Sequence, residues 1–339
     1  MTGSLTLLDT LGRPMRDLRV SVTDRCNFRC MYCMPKEVYG RDHAFLPRAE
    51  ILDYEEIERV VRSAVGLGVR KVRLTGGEPL VRRGLERLVA MLATVDGIED
   101  LTLTSNGSLL AAKAAALAEA GLDRVTVSLD ALDDPTFMAM NDVRFPVSRV
   151  LDGMAAAEAV GLGPIKVNTV VRRGVNEHAI LHLAERFRGT ETVVRFIEYM
   201  DVGHTNGWRL DEVVPAAEIV AAIDARWPLE PVDAAYRGEV ARRYRYRDGA
   251  GEIGLIASVS QPFCGDCTRA RLSADGHVYT CLFATDGHDL RGLLRGSATD
   301  DDLADRLRQI WTGRSDRYSE LRSIETVELP KVEMSFIGG

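Results

Sequence analysis

Short apolar, β-rich runs alternate with segments of helical periodicity through the first two thirds of this 339-residue chain. This alternation constrains the fold most, because consecutive parallel strands need a crossover helix between them. The predicted strands are Leu18–Val22, Lys71–Leu74, Asp100–Thr104, Arg124–Leu129, Lys166–Val171 and Val193–Glu198. The predicted helices between them are Ile57–Leu67, Leu85–Thr94, Ala112–Ala120, Ser148–Val160 and Asn176–Arg188. We therefore predict an α/β fold, a partial (β/α)6 barrel with functional residues on the loops that follow the strands.

The alternation stops near Gly203–Pro215, and a different pattern follows. The elements predicted there are a helix over Ala216–Arg226, a small antiparallel section over Arg237–Ser260 and a helix around Leu303–Trp311. We predict a barrel over residues 13–230 and a C-terminal α+β module over residues 231–339. The module is expected to cover the barrel mouth and to end in the tail Gly338-Gly339.

The composition argues against several kinds of partner. The net charge is −7, from 43 Lys and Arg against 50 Asp and Glu, so the overall field does not attract nucleic acid or an anionic membrane. No apolar run reaches the roughly 18–20 residues of a membrane span. Residues 1–10 lack the basic start and cleavage site of a signal peptide, so a cytoplasmic protein is expected. Monomer and homodimer both stay open.

Three cysteines follow the first predicted strand: Cys26, Cys30 and Cys33 form a C-x3-C-x2-C pattern. Cytosolic cysteines are rarely disulfides, so ligation is the leading interpretation. Three thiolates on one short loop can bind three irons of a [4Fe–4S] cluster and leave the fourth iron open to an exogenous ligand. Zinc would prefer a closed site with four ligands, and incidental core cysteines would not be expected on a polar loop.

A second triad lies near the C-terminus, where Cys264, Cys267 and Cys281 form C-x2-C-x13-C. Two interpretations stay open for it. One is a zinc site closed by His277 or His288, and the other is a second [4Fe–4S] cluster whose open iron binds the substrate.

Cationic residues are unusually frequent on the predicted strands, which are normally apolar in parallel sheets. They are Arg19, Lys71, Arg73, Lys166 and Arg195, and Arg269 and Arg271 follow closely on Cys267. Guanidinium groups can bind phosphate bidentately, so a cationic barrel interior facing an anionic ligand explains them together. The chain has no G-x4-G-K-[S/T] loop, so a nucleotide is not bound here as in P-loop proteins.

The segment from Cys26 to Cys33 resembles the C-x3-C-x-aromatic-C signature of the radical S-adenosylmethionine superfamily. Thr75-Gly76-Gly77-Glu78-Pro79 resembles the GGEP segment of the same superfamily, in which Glu78 could meet a positive amino group. The resemblance implies a TIM-like partial barrel and S-adenosylmethionine as a cofactor. The cofactor contacts that it implies are Tyr32, Gly77, Ser128 and Met200.

The second triad and the terminal glycines narrow this resemblance to the GTP 3',8-cyclase family of molybdenum-cofactor biosynthesis. That family implies two [4Fe–4S] clusters and GTP as the substrate, whose 3' hydrogen is abstracted before C3' attacks C8. It also implies a flavodoxin- or ferredoxin-like electron donor, and a cyclic pyranopterin monophosphate synthase that uses the product. The predicted substrate contacts are Arg19, Lys71, Arg73, Thr104, Lys166, Arg269, Ala270 and Arg271. Roles in the reaction are predicted for Arg195, Arg269, Arg271, Gly338 and Gly339.

Two alternatives remain at this point. A different radical enzyme with an auxiliary cluster, such as one that modifies a peptide, would share the first triad. Such an enzyme is expected to carry a longer cysteine-rich C-terminal region than six cysteines supply. A zinc-stabilised binding protein without catalytic activity would share the second triad.

Overall fold

The computed structural model describes residues 7–322, 327 and 329–338. Twelve strands in this part of the chain form one sheet in the order β12-β11-β10-β1-β2-β3-β4-β5-β6-β9-β8-β7. The strands are β1 Asp17–Ser21, β2 Lys71–Thr75, β3 Asp100–Ser105, β4 Arg124–Ser128, β5 Lys166–Val171, β6 Val193–Glu198, β7 Leu229–Val232, β8 Arg242–Tyr246, β9 Glu252–Ile256, β10 Arg269–Leu272, β11 His277–Tyr279 and β12 His288–Asp289.

Helices connect and cover these strands. They are α1 Tyr54–Gly66, α2 Leu85–Ala93, α3 Leu110–Glu119, α4 Asp134–Asn141, α5 Val147–Ala159, α6 Ala179–Phe187, α7 Ala216–Asp224, α8 Arg291–Arg295, α9 Asp300–Thr312 and α10 Met334–Ile337. Short 3-10 turns lie at Pro79–Val81, Leu210–Glu212 and Cys264–Asp266. The helix α4 was not predicted: its eight residues follow the capping Asp133 and carry a proline in the first turn, a pattern that resembles a turn more than a helix.

The six predicted strands are parallel neighbours in chain order, which confirms the α/β fold class. The bounds of β5 and β6 agree with the prediction at both ends. The C-terminal part then extends the sheet on both sides, with β10 parallel to β1 and β9 parallel to β6. The antiparallel pair β8 and β9 confirms the small antiparallel section. The predicted division of the chain at residue 230 stays a prediction.

The side chains of each strand alternate between two very different environments. In β1 and β2, Leu18, Val20, Val72 and Leu74 are buried in the core between sheet and helices. Residues of the opposite face belong to eight strands, β1, β2, β3, β5, β6, β8, β9 and β10, yet they line a single cavity. The sheet therefore curves around that cavity as a partial barrel. Within the described residues, no helix is long and apolar enough to cross a membrane.

Candidate active site

Two connected cavities occupy the interior of the barrel. The base cavity, about 340 Å³, lies at the amino ends of the strands and includes their first residues Asp17, Lys71 and Lys166. The mouth cavity, about 230 Å³, lies at the carboxyl ends, and all six cysteines line it. Residues that line both cavities are Arg19, Thr104, Asn168, Val240, Ile256 and Arg269. Because six residues line both, the two cavities adjoin each other, and together they are called the lumen below.

The first triad lies on the loop that leaves β1, and main-chain and side-chain donors surround it. The amide of Phe28 donates to Cys26 Sγ at 3.4 Å, and Asn106 Nδ2 donates to the same sulfur at 3.8 Å. The Arg29 guanidinium donates to the carbonyl of Cys26 at 2.8 Å and so fixes the loop. Gly77 packs against this loop so closely that a Cβ there would lie 2.3 Å from the carbonyl oxygen of Arg25.

Burial disfavours ionisation of the thiols of the first triad while no metal is bound. Burial raises the pKa of Cys26 to about 12 and raises the pKa values of Cys30 and Cys33 well above the usual range. A bound metal deprotonates such thiols and releases their protons. Three thiols on one cavity wall, with N–H donors to sulfur, fit an iron–sulfur cluster. Among the described residues, no three His, Cys, Asp or Glu side chains converge on one metal ion.

The four predicted cofactor residues come together beside the first triad. Tyr32, Gly77, Ser128 and Met200 all line the mouth cavity. The Tyr32 hydroxyl donates to Asp130 Oδ2 at 2.9 Å, which holds the ring on the cavity wall. Their contact with S-adenosylmethionine stays a prediction.

Glu78 differs from the expectation that it meets an amino group. Its carboxylate is completely buried and accepts hydrogen bonds from the amides of Leu80 at 2.9 Å and Asn106 at 2.7 Å. The Ser105 hydroxyl donates to it as well, at 2.9 Å. Burial raises the pKa of Glu78 to about 7. The side chain therefore joins the loops after β2 and β3, and only the glycines of the GGEP segment line the cavity.

The second triad lines the mouth cavity together with the first. Arg269 Nη2 donates to Cys267 Sγ at 3.4 Å, and the amide of Phe283 donates to Cys281 Sγ at 3.5 Å. Burial opposes ionisation of Cys267, but the positive charges of Arg269 and Arg314 outweigh it and lower its pKa to about 6. Burial raises the pKa of Cys281 to about 12. The donor set thus again fits an iron–sulfur cluster.

The two histidines considered as zinc ligands lie elsewhere. His277 Nδ1 lies 2.9 Å from Asp275 Oδ2, and His288 is exposed on β12. Neither is among the residues that line the mouth cavity with the cysteines.

The C-terminal tail enters the barrel. Arg271, which is 2% exposed, donates to the carbonyl of Gly338, and Met334 and Ser335 line the mouth cavity. Gly338 has a φ of +75°, and a Cβ on it would lie 2.3 Å from Thr75 Cγ2. Gly338 therefore occupies a position that only glycine fits. Gly339, for which a role in the reaction is predicted, lies outside the described residues.

The strand-borne cations converge on the lumen. Arg19 is opposite both Arg271 on β10 and Arg73 on β2, so three guanidinium groups share one row of the sheet. Arg73 donates to Thr104 Oγ1 at 2.9 Å. Ala270 lies between Arg269 and Arg271 on β10, so its side chain is on the opposite face of the sheet. Its methyl group is buried in the core behind β10, and only its main chain could contact a substrate.

Crowding of like charges marks the base cavity as a site for an anion. Burial and the neighbouring Arg195 lower the pKa of Lys166 to about 7, and burial and Arg73 lower that of Arg195 to about 9. Lys71 is paired with Asp100 at 2.8 Å. Such mutual repulsion is relieved when a polyanion binds, which explains why cations accumulate here.

Asn168 is a residue that the sequence analysis missed. It lies on β5 two residues after Lys166, lines both cavities, and its buried Oδ1 has no hydrogen-bond partner within the part of the chain that the structure describes. The available signal was its position on the strand. Residues two apart share a face, so Asn168 lies on the same face as Lys166, a predicted substrate contact.

Comparison with known proteins agrees with this geometry. The family model of the Radical SAM superfamily matches residues 20–187, and that of Molybdenum Cofactor Synthesis C matches residues 192–320. The crystal structure of Streptococcus suis SuiB bound to S-adenosylmethionine is similar with a TM-score of 0.61 at 15% identity, and the match covers 94% of this chain and 72% of that one. This likeness shows the shared fold.

Sequence relatives are much closer. The GTP 3',8-cyclase of Acidothermus cellulolyticus is 54% identical over 98% of both chains. The GTP 3',8-cyclase of Xanthomonas axonopodis pv. citri is 54% identical over 98% of both chains, and that of Staphylococcus epidermidis is 48% identical over 98% of both. With two cysteine triads, a cationic lumen and relatives of this identity over nearly the full length, the chain belongs to the GTP 3',8-cyclase family.

Proposed function

We propose that this chain converts GTP to (8S)-3',8-cyclo-7,8-dihydroguanosine 5'-triphosphate, the first step of molybdenum-cofactor biosynthesis. The observation that carries the proposal is the lumen, in which a cavity lined by two cysteine triads adjoins a cavity lined by a set of cations. The relatives named GTP 3',8-cyclase support the choice of GTP over a peptide or another nucleotide.

The two triads are the ligands for two [4Fe–4S] clusters. Cys26, Cys30 and Cys33 would hold the first, and Cys264, Cys267 and Cys281 would hold the second. When bound, the first cluster supplies the electron that cleaves S-adenosylmethionine to a 5'-deoxyadenosyl radical, and the second offers an open iron to the guanine. Tyr32, Gly77, Ser128 and Met200 are placed to hold S-adenosylmethionine against the first triad.

The base cavity is placed to bind the triphosphate. Arg73, Lys166 and Arg195 bring positive charge to it from three different strands. Charge-assisted hydrogen bonds from such groups are stronger than neutral ones, and burial strengthens them further. A triphosphate bound at the base and a guanine bound at the second triad would fix the ribose at the junction of the cavities, where Asn168 and Thr104 lie.

Positioning is the main task of these residues, because an alkyl radical abstracts hydrogen from almost any C–H group within reach. Selectivity then depends on holding C3' against the mouth cavity while other C–H groups stay away. The C-terminal tail also contributes to this positioning, because Arg271 binds the Gly338 carbonyl and keeps α10 packed across the cavity. A closed cavity also excludes water and oxygen. Arg195, Arg269 and Arg271 are therefore assigned to positioning and charge stabilisation during the reaction.

The proposed partners follow from the same reaction. A flavodoxin- or ferredoxin-like donor would reduce the first cluster, and a cyclic pyranopterin monophosphate synthase would take the product. The cytoplasmic location stays a prediction, and monomer and homodimer both stay open as oligomeric states.

The test is an anaerobic incubation of the reconstituted protein with GTP, S-adenosylmethionine and a reductant, followed by mass analysis. We expect 5'-deoxyadenosine and an isomer of GTP, and both should disappear in Cys30→Ala. A reconstituted protein that does not bind GTP would favour the alternative of a peptide-modifying enzyme. Stoichiometric zinc, without iron, sulfide or brown absorbance, would favour a non-catalytic binding protein.

A further inference from the structure

A buried ion network lies behind the loop of the second triad. Asp9 Oδ2 contacts Arg13 Nε at 2.6 Å and Arg314 Nη1 at 3.4 Å. The side chains of Asp9 and Arg13 are 0% exposed, and that of Arg314 is 2% exposed. The three residues come from opposite ends of the chain, and none of them belongs to the parallel strands.

Both guanidinium groups of this network donate to the main chain of cysteine residues. Arg13 Nη1 donates to the carbonyl oxygen of Cys264 at 2.7 Å, and Arg314 Nη1 donates to that of Cys267 at 2.6 Å. These carbonyls belong to the short turn that carries two of the three thiols. The amide of Cys267 also donates to the carbonyl of Cys264, at 3.2 Å. The two arginines therefore add charge-assisted hydrogen bonds that fix the turn from behind.

The end of α9 holds the arginines in place. Trp311 Nε1 donates to the carbonyl of Arg13 at 3.0 Å, and the Arg314 guanidinium lies 4.6 Å from the centre of the Trp311 ring. Thr10 Oγ1 donates to the carbonyl of Arg314 at 2.6 Å. The N-terminal segment and the segment after α9 are thus fastened to each other and, through the arginines, to the cysteine turn.

Charges of both signs lie in the network. Two guanidinium groups face one buried carboxylate, that of Asp9. A further carboxylate, of Asp316, lies 3.3 Å from Arg314 Nε; its side chain is 32% exposed and lines the mouth cavity. The two guanidinium groups are the positive charges directly behind Cys264 and Cys267, because they donate to the carbonyl oxygens of both residues.

We propose that Asp9, Arg13 and Arg314 are positioning residues for the second cluster, retaining it and setting its reduction potential. The inference rests on the proposed assignment of a [4Fe–4S] cluster to the second triad. Positive charge near a cluster favours its reduced form, because reduction adds negative charge. Removal of a positive charge should therefore make the potential more negative, and removal of the Asp9 charge should make it more positive.

The test uses the full chain, reconstituted anaerobically, with iron analysis and electron paramagnetic resonance during a redox titration. Addition of S-adenosylmethionine changes the signal of the first cluster and so separates the two signals. Arg13→Gln should lose the second cluster selectively, so that iron falls from about eight to about four per chain while the first signal stays. Arg13→Lys keeps the charge and should restore part of the iron.

Two further variants give opposite results if the charges act as proposed. Arg314→Gln should shift the potential of the retained second cluster to more negative values, and Asp9→Asn should shift it to more positive values. Simple loosening of the turn would shift both variants in one direction. The control is Arg16→Gln, which removes an exposed arginine paired with Glu99 at 3.2 Å and should change neither iron nor potential.

Several results would overturn the inference. These are equal loss of both clusters in Arg13→Gln, shifts of one sign in both charge variants, and unchanged iron and potential in all of the variants. A wild-type chain that binds only one cluster would instead contradict the proposed function itself.

Discussion

The two ends of the barrel lumen are built from different chemistry. The mouth cavity combines six thiols, the C-terminal tail and uncharged residues such as Ser128 and Met200 with the arginines of β10. The base cavity is lined by Lys71, Arg73, Lys166 and other cations on strands that are apolar on their other face. The difference indicates a division of labour, with radical formation at the first triad and binding of the triphosphate at the base. Changes at the first triad should then reduce turnover and spare GTP binding, and changes at the base should do the reverse.

The largest effect is expected from Cys30→Ala, which removes one thiol of the first triad. It should abolish formation of 5'-deoxyadenosine and of the cyclised product, because three protein ligands are needed to hold the first cluster. GTP affinity, measured by calorimetry without reductant, should stay within about twofold, since the base cations are untouched. Met31→Leu in the same loop is the control. Loss of GTP affinity together with turnover would contradict a division between the two ends.

The next largest effect is expected from Gly338→Ala. The added Cβ would meet Thr75 Cγ2 at 2.3 Å, so the tail must move away from the mouth cavity. A displacement of about 1 Å can cost roughly 100-fold in rate, and cyclisation should fall by that order while 5'-deoxyadenosine still forms. The ratio of the two products by mass analysis measures this uncoupling.

Gly174→Ala is the matched control for the tail variant. Gly174 has a φ of +73°, similar to that of Gly338, but a Cβ there would meet nothing within 4 Å. Both variants force a positive φ on an alanine, and only the tail variant carries the clash. Equal losses of cyclisation in the two variants would show that strain, and not entry of the tail, is responsible.

The base of the lumen should respond to pH through Lys166. Its pKa is lowered to about 7 by burial and by Arg195, so the empty cavity holds it partly neutral above that pH. A bound triphosphate favours the charged form and raises the pKa, so GTP binding takes up a proton and affinity falls as the pH rises above about 7. Calorimetry in buffers of different ionisation enthalpy counts the protons.

Lys166→Met should bind GTP about 10- to 100-fold more weakly, and that affinity should change little between about pH 6 and pH 9. Its maximal turnover at saturating GTP should change less than its affinity. Lys113→Met, a surface lysine on α3, is the control. A wild-type affinity that rises with pH would contradict the assignment.

The smallest effect is expected at the junction of the two cavities. Asn168→Ala removes an amide whose Oδ1 has no partner among the described residues, so a hydrogen bond to the ribose would be lost. One neutral hydrogen bond corresponds to a loss of about 2- to 12-fold in GTP affinity, and the amide does not titrate. The loss should therefore be independent of pH. A loss of GTP affinity as large as that of Lys166→Met would contradict the assignment of most of this affinity to the base cavity.

Sequence periodicity predicted the parallel centre of the fold well, because each βα unit is encoded locally. The strands β5 and β6 agree at both ends, and the first triad lies within eight residues on one loop. The position of β10 beside β1 could not be predicted, since that pairing joins residues 17–20 to residues 269–272 and leaves no local pattern.

The same limit applies to the site. Arg19 and Arg73 could be predicted because a charged residue stands out on an apolar strand. The hydrogen bonds of the Glu78 carboxylate to the amides of Leu80 and Asn106 could not be predicted, because a motif does not show that its carboxylate joins two loops. The Arg13 contact with Cys264 spans 251 residues and is invisible to local patterns. Residues whose function depends on distant partners are the ones that sequence reasoning missed.

The most direct test of the central claim uses GTP that carries deuterium at C3', in a single anaerobic turnover with S-adenosylmethionine and a reductant. If the lumen holds the ribose at the junction and its C3' against the mouth cavity, the 5'-deoxyadenosine formed should contain one deuterium, and the cyclised product should have lost it. Unlabelled 5'-deoxyadenosine beside a fully deuterated nucleotide would contradict the account.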